Sequence, residues 1–225
     1  MKYYRVNKKN KRKLKREKIR NRKLIKQYPW ILPRNVFTGK VPDDYDYSYV
    51  VWELPNGWHK AFGQMYLEEL DTAVKEAGLE RDFMIYQIKE KYGALRVYTS
   101  GASDKIFNII DKYEHISEHV CIGCGKPNVP VINEGWISPW CYDCYRKNWR
   151  RRESYTARYK EIKPSSEEEI KLAYDKASSE NSEIETSYTI RRFGIDGNTD
   201  TVYDISDTVA EINERWNKRK KHGLH

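Results

Sequence analysis

The chain contains four cysteines, and all four fall into two C-x2-C pairs: Cys121-Ile122-Gly123-Cys124 and Cys141-Tyr142-Asp143-Cys144, with sixteen residues between them. This is metal-site spacing. Two intervening residues let both thiolates of one tight turn face a single ion. Gly123 and Gly125 permit the bent backbone such a knuckle needs. Four thiolates saturate a tetrahedral zinc and leave no position for water. The expectation is therefore one structural Zn2+ held by Cys121, Cys124, Cys141 and Cys144, with no catalytic role. Two thioredoxin-like redox pairs are the rival reading, but they do not explain why no cysteine lies elsewhere in 225 residues. Between the pairs, Val129 to Ile132 and Trp136-Ile137 flank Asn133-Glu134-Gly135, which predicts a short hairpin. Tyr142 to Arg152 reads as helical. Knuckle, hairpin, then knuckle at a helix start is the order of a treble clef, whereas a zinc ribbon would place a strand last. Metal removal is expected to unfold the segment.

The charge is as localised as the sulfur. Residues 1–26 hold fourteen Lys/Arg and one acid, Glu17, for a net +13. The remaining residues carry 28 basic and 32 acidic groups, so a mildly acidic body bears a strongly basic arm. Like-charge repulsion predicts an arm that stays extended until an anion neutralises it. Its residues are also good helix formers, and Pro29 would end any helix near Tyr28. Its aliphatic residues Leu14, Ile19, Leu24 and Ile25 are too sparse for a core-facing stripe. A block this dense points to phosphate contact through counterion release, with Lys8, Lys9, Lys11, Arg12, Lys13, Lys15, Arg16, Lys18, Arg20, Arg22 and Lys23 as candidates. The bland alternatives are a solvated tail or a helix lying on the protein's own acidic body. A second basic cluster, Arg146, Lys147, Arg150, Arg151 and Arg152, lies on the helix that the metal would anchor. It offers the arm a second contact point, or simply forms a solvated face. A third, Arg215 and Lys218 to Lys221, suits a helix C-terminus.

Periodicity outlines the body as an α+β fold. Tyr47 to Leu54, rich in β-branched and aromatic residues, predicts a strand, and Pro55-Asn56-Gly57 a turn. Lys60 to Ala77 predicts an amphipathic helix with Gly78 beyond its end. Phe83–Glu90 and Ala94–Ser100 around Lys91-Tyr92-Gly93 predict a hairpin, and Ser103 or Asp104 caps the next helix. After the cysteines, 142–163 reads as a basic helix stopping before Pro164. Ser165 with Glu168 offers a capping box for a helix to about Ala177. Ile184–Ile195 and Thr201–Ile205 flank Asp196-Gly197-Asn198 as a second hairpin. Ser206 or Asp207 caps a last helix with Val209, Ile212 and Trp216 as its stripe. The expected organisation is a basic N-terminal helical or disordered arm (1–28), a strand-helix-hairpin-helix α+β domain (29–118), the four-cysteine treble-clef or zinc-ribbon module (119–150) and a C-terminal helix-hairpin-helix lobe (151–225).

Catalytic motifs fare poorly. His115-Ile116-Ser117-Glu118-His119 matches H-x-x-E-H, but without an identified third ligand; two surface histidines are the plainer account. Pro139-Trp140-Cys141-x-x-Cys144 matches half of a nucleotide deaminase, yet neither His59 nor His115 is followed by the required Glu. No His between or just after the cysteine pairs suits a His-Asn-His nuclease, and no P-loop or nucleophile elbow is present. Asp43, Asp44 and Asp46 are the acids an undetected hydrolase would use, against the plainer account of a solvated loop. The aromatics of the first half, Trp52 to Tyr98, read as core and rim, with a base-stacking platform beside Lys91 and Arg96 as the alternative. No apolar run reaches membrane-spanning length and no signal-peptide core follows the basic start, which leaves a cytoplasmic address as the expectation.

Leu54-Pro55-Asn56-Gly57-Trp58-His59-Lys60-Ala61-Phe62-Gly63, Ile88 to Arg96, and the two knuckles with Gly135-Trp136-Ile137-Ser138-Pro139 between them resemble a family of uncharacterised proteins encoded in bacteriophages and prophages. The resemblance covers about residues 29–145 and transfers no catalytic residue. It implies work in a host bacterial cytoplasm. There, small phage proteins bind nucleic acid or redirect a host machine, including CRISPR effectors. The expected partner is thus DNA or RNA, or a host or CRISPR ribonucleoprotein, bound without membrane or small-molecule cofactor. A non-enzymatic nucleic-acid binder is the first expectation. An anti-CRISPR-like inhibitor of a host or defence enzyme acting by protein contact is the alternative.

Overall fold

Val51 and Trp52 lie in the segment with the strongest β propensity before the cysteines, yet the computed structural model forms no strand there. It describes residues 8–35, 37–194 and 197–223. The fold is mixed α/β with small antiparallel sheets. Helix α1 spans Lys8–Gln27. Helix α2 (Asn56–Trp58) runs through a π-turn at His59–Gly63 into α3 (Gln64–Glu76). Strands β1 (Met84–Lys91) and β2 (Ala94–Ser100) precede α4 (Asp104–Ser117). Then come β3 (Val131–Glu134), β4 (Trp136–Pro139), α5 (Tyr142–Thr156), α6 (Glu167–Ala177), β5 (Ser187–Gly194), β6 (Gly197–Asp204) and α7 (Ser206–Lys221). Each sheet has two strands: β1-β2, β3-β4 and β5-β6. Tyr92 (φ 55°) and Gly93 (φ 83°) form the two-residue turn of the first hairpin, the left-handed pair that matches strand twist. The turn of the third hairpin, with Asp196, lies outside the described residues, as do the side chains of Lys8 and Lys9.

The chain divides into two compact units. One comprises Met1–Leu54, Leu67–Lys89 and Arg96–Ile110; the other Pro55–Tyr66, Glu90–Leu95 and Asp111–His225.

The first unit is built around Trp30, whose ring lies 5.5 Å from Phe83 and 5.9 Å edge-on to Trp52. Its indole N–H donates to Asp71 at 3.3 Å, and Asp71 also holds Lys75 at 2.5 Å. The predicted Tyr47–Leu54 strand is replaced by bends. Tyr47 takes a left-handed φ of 66° that no strand tolerates, and Val50 and Trp52 are buried by packing instead of pairing. The predicted strand-helix-hairpin-helix order therefore lacks its first strand. Residues Lys8–Gln27 of the arm are helical, not extended. Leu14 and Ile19 stay exposed, as their sparse spacing requires, but Asn21 is buried and donates to the Tyr47 carbonyl at 2.9 Å. Lys18 pairs with Asp46 at 2.5 Å, holding that carboxyl down at about 2, and Arg22 lies over the Tyr47 ring. One face of α1 thus rests on Asp46 and Tyr47, the arrangement expected of a helix lying on an acidic body.

The second unit packs Trp58, Phe62, Tyr66 and Tyr113, with Tyr66 and Tyr113 stacked at 4.3 Å. A second cluster joins Ile132, Tyr145, Ile170 and Tyr174, with Trp140 and Trp149 against it. Helix α5 ends at Thr156, seven residues before the predicted stop, because the chain folds back onto it. Glu153 accepts from the Ser165 amide at 2.8 Å and from Trp149 at 3.0 Å, and Arg150 donates to the Ser165 carbonyl at 2.6 Å. With Ser165 engaged, the capping box falls one residue later, on Ser166 and Glu169. At α7 neither Ser206 nor Asp207 is the cap residue, which is Ile205; Asp204 accepts from the Ser206 amide at 2.9 Å instead.

Candidate metal centre

The first knuckle is closed by backbone bonds: Cys121 N–H donates to Lys126 and Gly125 N–H to Cys121. Gly125 turns at φ 79°. The second knuckle opens α5, where Tyr145 N–H donates to Cys141. The two are tied directly, because Ile122 N–H donates to the Pro139 carbonyl at 2.9 Å. Gly123 is needed for proximity, since a Cβ there would lie 3.1 Å from the Cys144 sulfur and 3.0 Å from the Trp140 ring.

All four sulfurs lie within 4.8 Å of one another, and none is in a disulfide. Cys121 and Cys141 are 3.7 Å apart and Cys124 and Cys141 3.6 Å. A tetrahedral ion with metal–sulfur bonds of about 2.3 Å has sulfur–sulfur edges of about 3.8 Å, so the donor set fits one. Cys121 and Cys141 are buried and the other two half-buried. Hydrogen bonding with Cys124 draws the Cys121 thiol below its ordinary value, and hydrogen bonding with Cys121 pushes Cys144 above its own. Four thiols this close cannot all ionise unless a cation offsets the charge.

Residues 55–66 and 90–95 pack against the cysteine module within the second unit. Gly57 N–H donates to the Ile122 carbonyl at 2.9 Å, and the Trp58 indole donates to the Val120 carbonyl at 2.8 Å. A Cβ on Gly57 would lie 2.1 Å from the Cys121 carbonyl oxygen. Gly93 packs on β4, where a Cβ would meet Ile137 at 3.2 Å. From α7, Arg219 donates to the Gly125 carbonyl at 3.3 Å. Its Nε and Nη1 have no hydrogen-bond partner among the described residues. Burial lowers its pKa, while the Cys124 charge opposes that shift.

The basic candidates on α5 divide into two sets. Arg150 pairs with Glu167 at 2.7 Å and Glu153 at 3.1 Å, Arg146 reaches Glu167 at 3.4 Å, and Arg152 faces Glu134 at 3.8 Å. Lys147 and Arg151 instead line a hollow over Cys124 and Cys144 together with Lys60, a residue the sequence did not single out. On α1, Lys18 and Arg22 face the body and Lys13 pairs with Glu17, leaving Lys11, Arg12, Lys15, Arg16, Arg20 and Lys23 exposed without ion pairs among the described residues. The H-x-x-E-H histidines do not converge. His115 bonds the Glu185 carbonyl at 3.1 Å and stacks on Tyr188, 6.4 Å from the His119 ring. Among the described residues the cysteines are the group of three or more potential ligands placed to hold an ion, and no helix is long and apolar enough to cross a membrane. No known family model, curated protein or solved structure matches the chain.

Proposed function

We propose that the chain is a zinc-braced, non-enzymatic nucleic-acid-binding protein. The knuckle–hairpin–knuckle–helix order supports a treble-clef reading of residues 119–150, and a four-thiolate tetrahedron suits zinc held as a structural ion. The observation that carries the reading is the outer face of α1. Its docked face is anchored by Asn21, Lys18 and Arg22, while Lys11, Arg12, Lys15, Arg16, Arg20 and Lys23 point to solvent with no internal acid to neutralise them. A rigid helix that presents a row of unpaired cations is suited to phosphate and to sequence-independent contact. The resemblance to phage proteins suggests that the polyanion is host nucleic acid or the nucleic acid of a defence ribonucleoprotein.

Deleting residues 1–26 would also remove the Asn21 and Lys18 anchors. The cleaner test changes Lys11, Arg12, Lys15, Arg16 and Lys23 to Gln in the full chain. Retention on duplex DNA is then measured across a salt series. Loss of five phosphate contacts lowers the slope of log affinity against log salt by up to about 4.5. An unchanged slope and affinity would overturn the reading.

A further inference from the structure

Four hollows in the second unit share lining residues in turn, which sets them side by side as a track. The first, about 460 Å³, lies between the Glu90–Tyr92 turn and the β3–β4 tip and is walled by Tyr92, Trp136 and Ile137. The second, about 380 Å³, shares Trp136 and extends to Trp140, Asn148 and Arg152. The third, about 360 Å³, shares Trp140 and Asn148 and adds Lys60, Lys147 and Arg151. The fourth, about 180 Å³, shares Lys147 and adds Lys126, Trp216 and Lys220. One end is therefore aromatic and the other cationic.

We infer that this track binds a single-stranded polynucleotide, its bases stacking on Tyr92 and Trp136 and its phosphates lying along Lys60, Lys147, Arg151, Lys126 and Lys220. The inference rests on the nucleic-acid reading but uses residues other than α1. Tyr92 and Trp136 are 74% and 71% exposed, so neither ring serves the core. Two large, exposed rings at the tips of two hairpins offer faces on which unpaired bases stack, and Lys91, 5.4 Å over the Tyr92 ring, adds a cation beside it. Charge complementarity selects the same occupant. Of the acids on the track, Glu90 accepts from the Gly93 amide, Glu134 accepts from the Tyr145 hydroxyl while facing Arg152, and Asp143 lies exposed at the cationic end. Lys60, Lys126, Lys147 and Lys220 have no ion pair among the described residues. Compensation of the metal centre does not account for this excess, because a divalent ion in four thiolates leaves about two negative charges, and Asp143 adds one more, against these four lysines and Arg151. Nor does it account for the rings. A duplex, whose base faces are covered, would gain nothing from them.

The test uses full-length protein with labelled oligo(dT), oligo(U) and a duplex of about 12 nucleotides, a length suited to a single-strand site. Trp136→Ala and Tyr92→Asn, the latter chosen because Asn accepts the left-handed backbone of Tyr92, should each weaken single-strand binding about tenfold. Duplex binding and melting temperature should not change, and Trp136→Phe should restore most of the loss. Lys147→Gln with Arg151→Gln should lower the single-strand salt slope by about 1.4 and leave metal content intact. Comparison of oligo(U) with oligo(dT) separates RNA from DNA as the ligand. Silent ring variants in a protein that retains oligonucleotides would overturn this inference alone. Loss of metal in the Lys147/Arg151 variant would also overturn it by assigning those cations to the thiolates. Failure of the unsubstituted protein to retain any oligonucleotide would overturn the nucleic-acid reading itself.

Discussion

Gly57 lies in the first turn of the α2–α3 segment, a place where helix propensity alone favours alanine over glycine by up to about 1 kcal/mol. The packing argues for the opposite sign. A Cβ at this position would stand 2.1 Å from the Cys121 carbonyl oxygen and 2.6 Å from the Ile122 carbonyl, both backbone atoms of the first knuckle. Neither can swing aside as a side-chain tip would. Overpacking of this kind costs about 1–3 kcal/mol. The displacement also breaks the bond from Gly57 N–H to Ile122, worth about 1 kcal/mol. After the propensity gain, Gly57→Ala should destabilise by about 1–3 kcal/mol, a fall in Tm of about 2–12 °C for a chain of this size. Because the strained atoms belong to the Cys121 turn, release of metal to a chromophoric chelator should quicken as well. Gly135→Ala is the control: its φ of 76° imposes a left-handed penalty of about 1 kcal/mol, but no atom lies within 4 Å. It should lower Tm slightly and leave metal release unchanged. A Gly57→Ala protein that melts at or above the wild-type temperature, with unaltered metal release, would refute the close fit of Gly57 against the first knuckle.

Three further outcomes follow from the same geometry. Glu153 has its pKa lowered to about 2, chiefly by hydrogen bonding with Ser165, so its stabilising effect is present above the ordinary carboxylate value near 4.5 and is lost as pH falls toward 2. The Tm difference between wild type and Glu153→Gln should accordingly be largest near neutral pH and shrink steadily below pH 5. Arg219→Gln keeps a donor for the Gly125 carbonyl but removes the positive charge beside Cys124. Chelator competition should show weaker metal retention at low salt, with the difference narrowing as salt rises. Chelation of the wild-type protein should expose residues 119–150 to trypsin, read by mass spectrometry, and restored metal should restore protection.

The four-cysteine cluster is legible because its information is local: a two-residue gap and two glycines describe a knuckle without reference to the rest of the chain. The first hairpin was legible for the same reason at Tyr92-Gly93. Features set by distant partners were not. Val50 and Trp52 have the composition of a strand, but burial, not pairing, explains their type. Arg146 and Arg150 have the pattern of phosphate ligands, but Glu167, at the start of α6, is brought beside them by the fold. Asn21 carries no apolar signal, yet it anchors α1 through a carbonyl 26 residues away. Ser165 has the sequence of an α6 cap, but Glu153 and Trp149, twelve and sixteen residues before it, hold it instead. Lys60 attracted no notice among ordinary surface lysines, and only the fold places it beside Lys147 and Arg151.

The division of the strands into three separate ladders has a mechanical consequence. A two-stranded ribbon is marginal by itself in water, so each depends on what is stitched to it. For β3-β4 the stitching is strong: the Ile122–Pro139 bond to the first knuckle, the Ser179 amide on the Val131 carbonyl and the Tyr145–Glu134 bond. Among the described residues no ladder joins one ribbon to another, so loosening one need not propagate along shared strands to the next. Such a molecule should melt in patches. Hydrogen exchange should follow a hierarchy with the ribbon between the sulfur knuckles exchanging last for as long as its ion is bound.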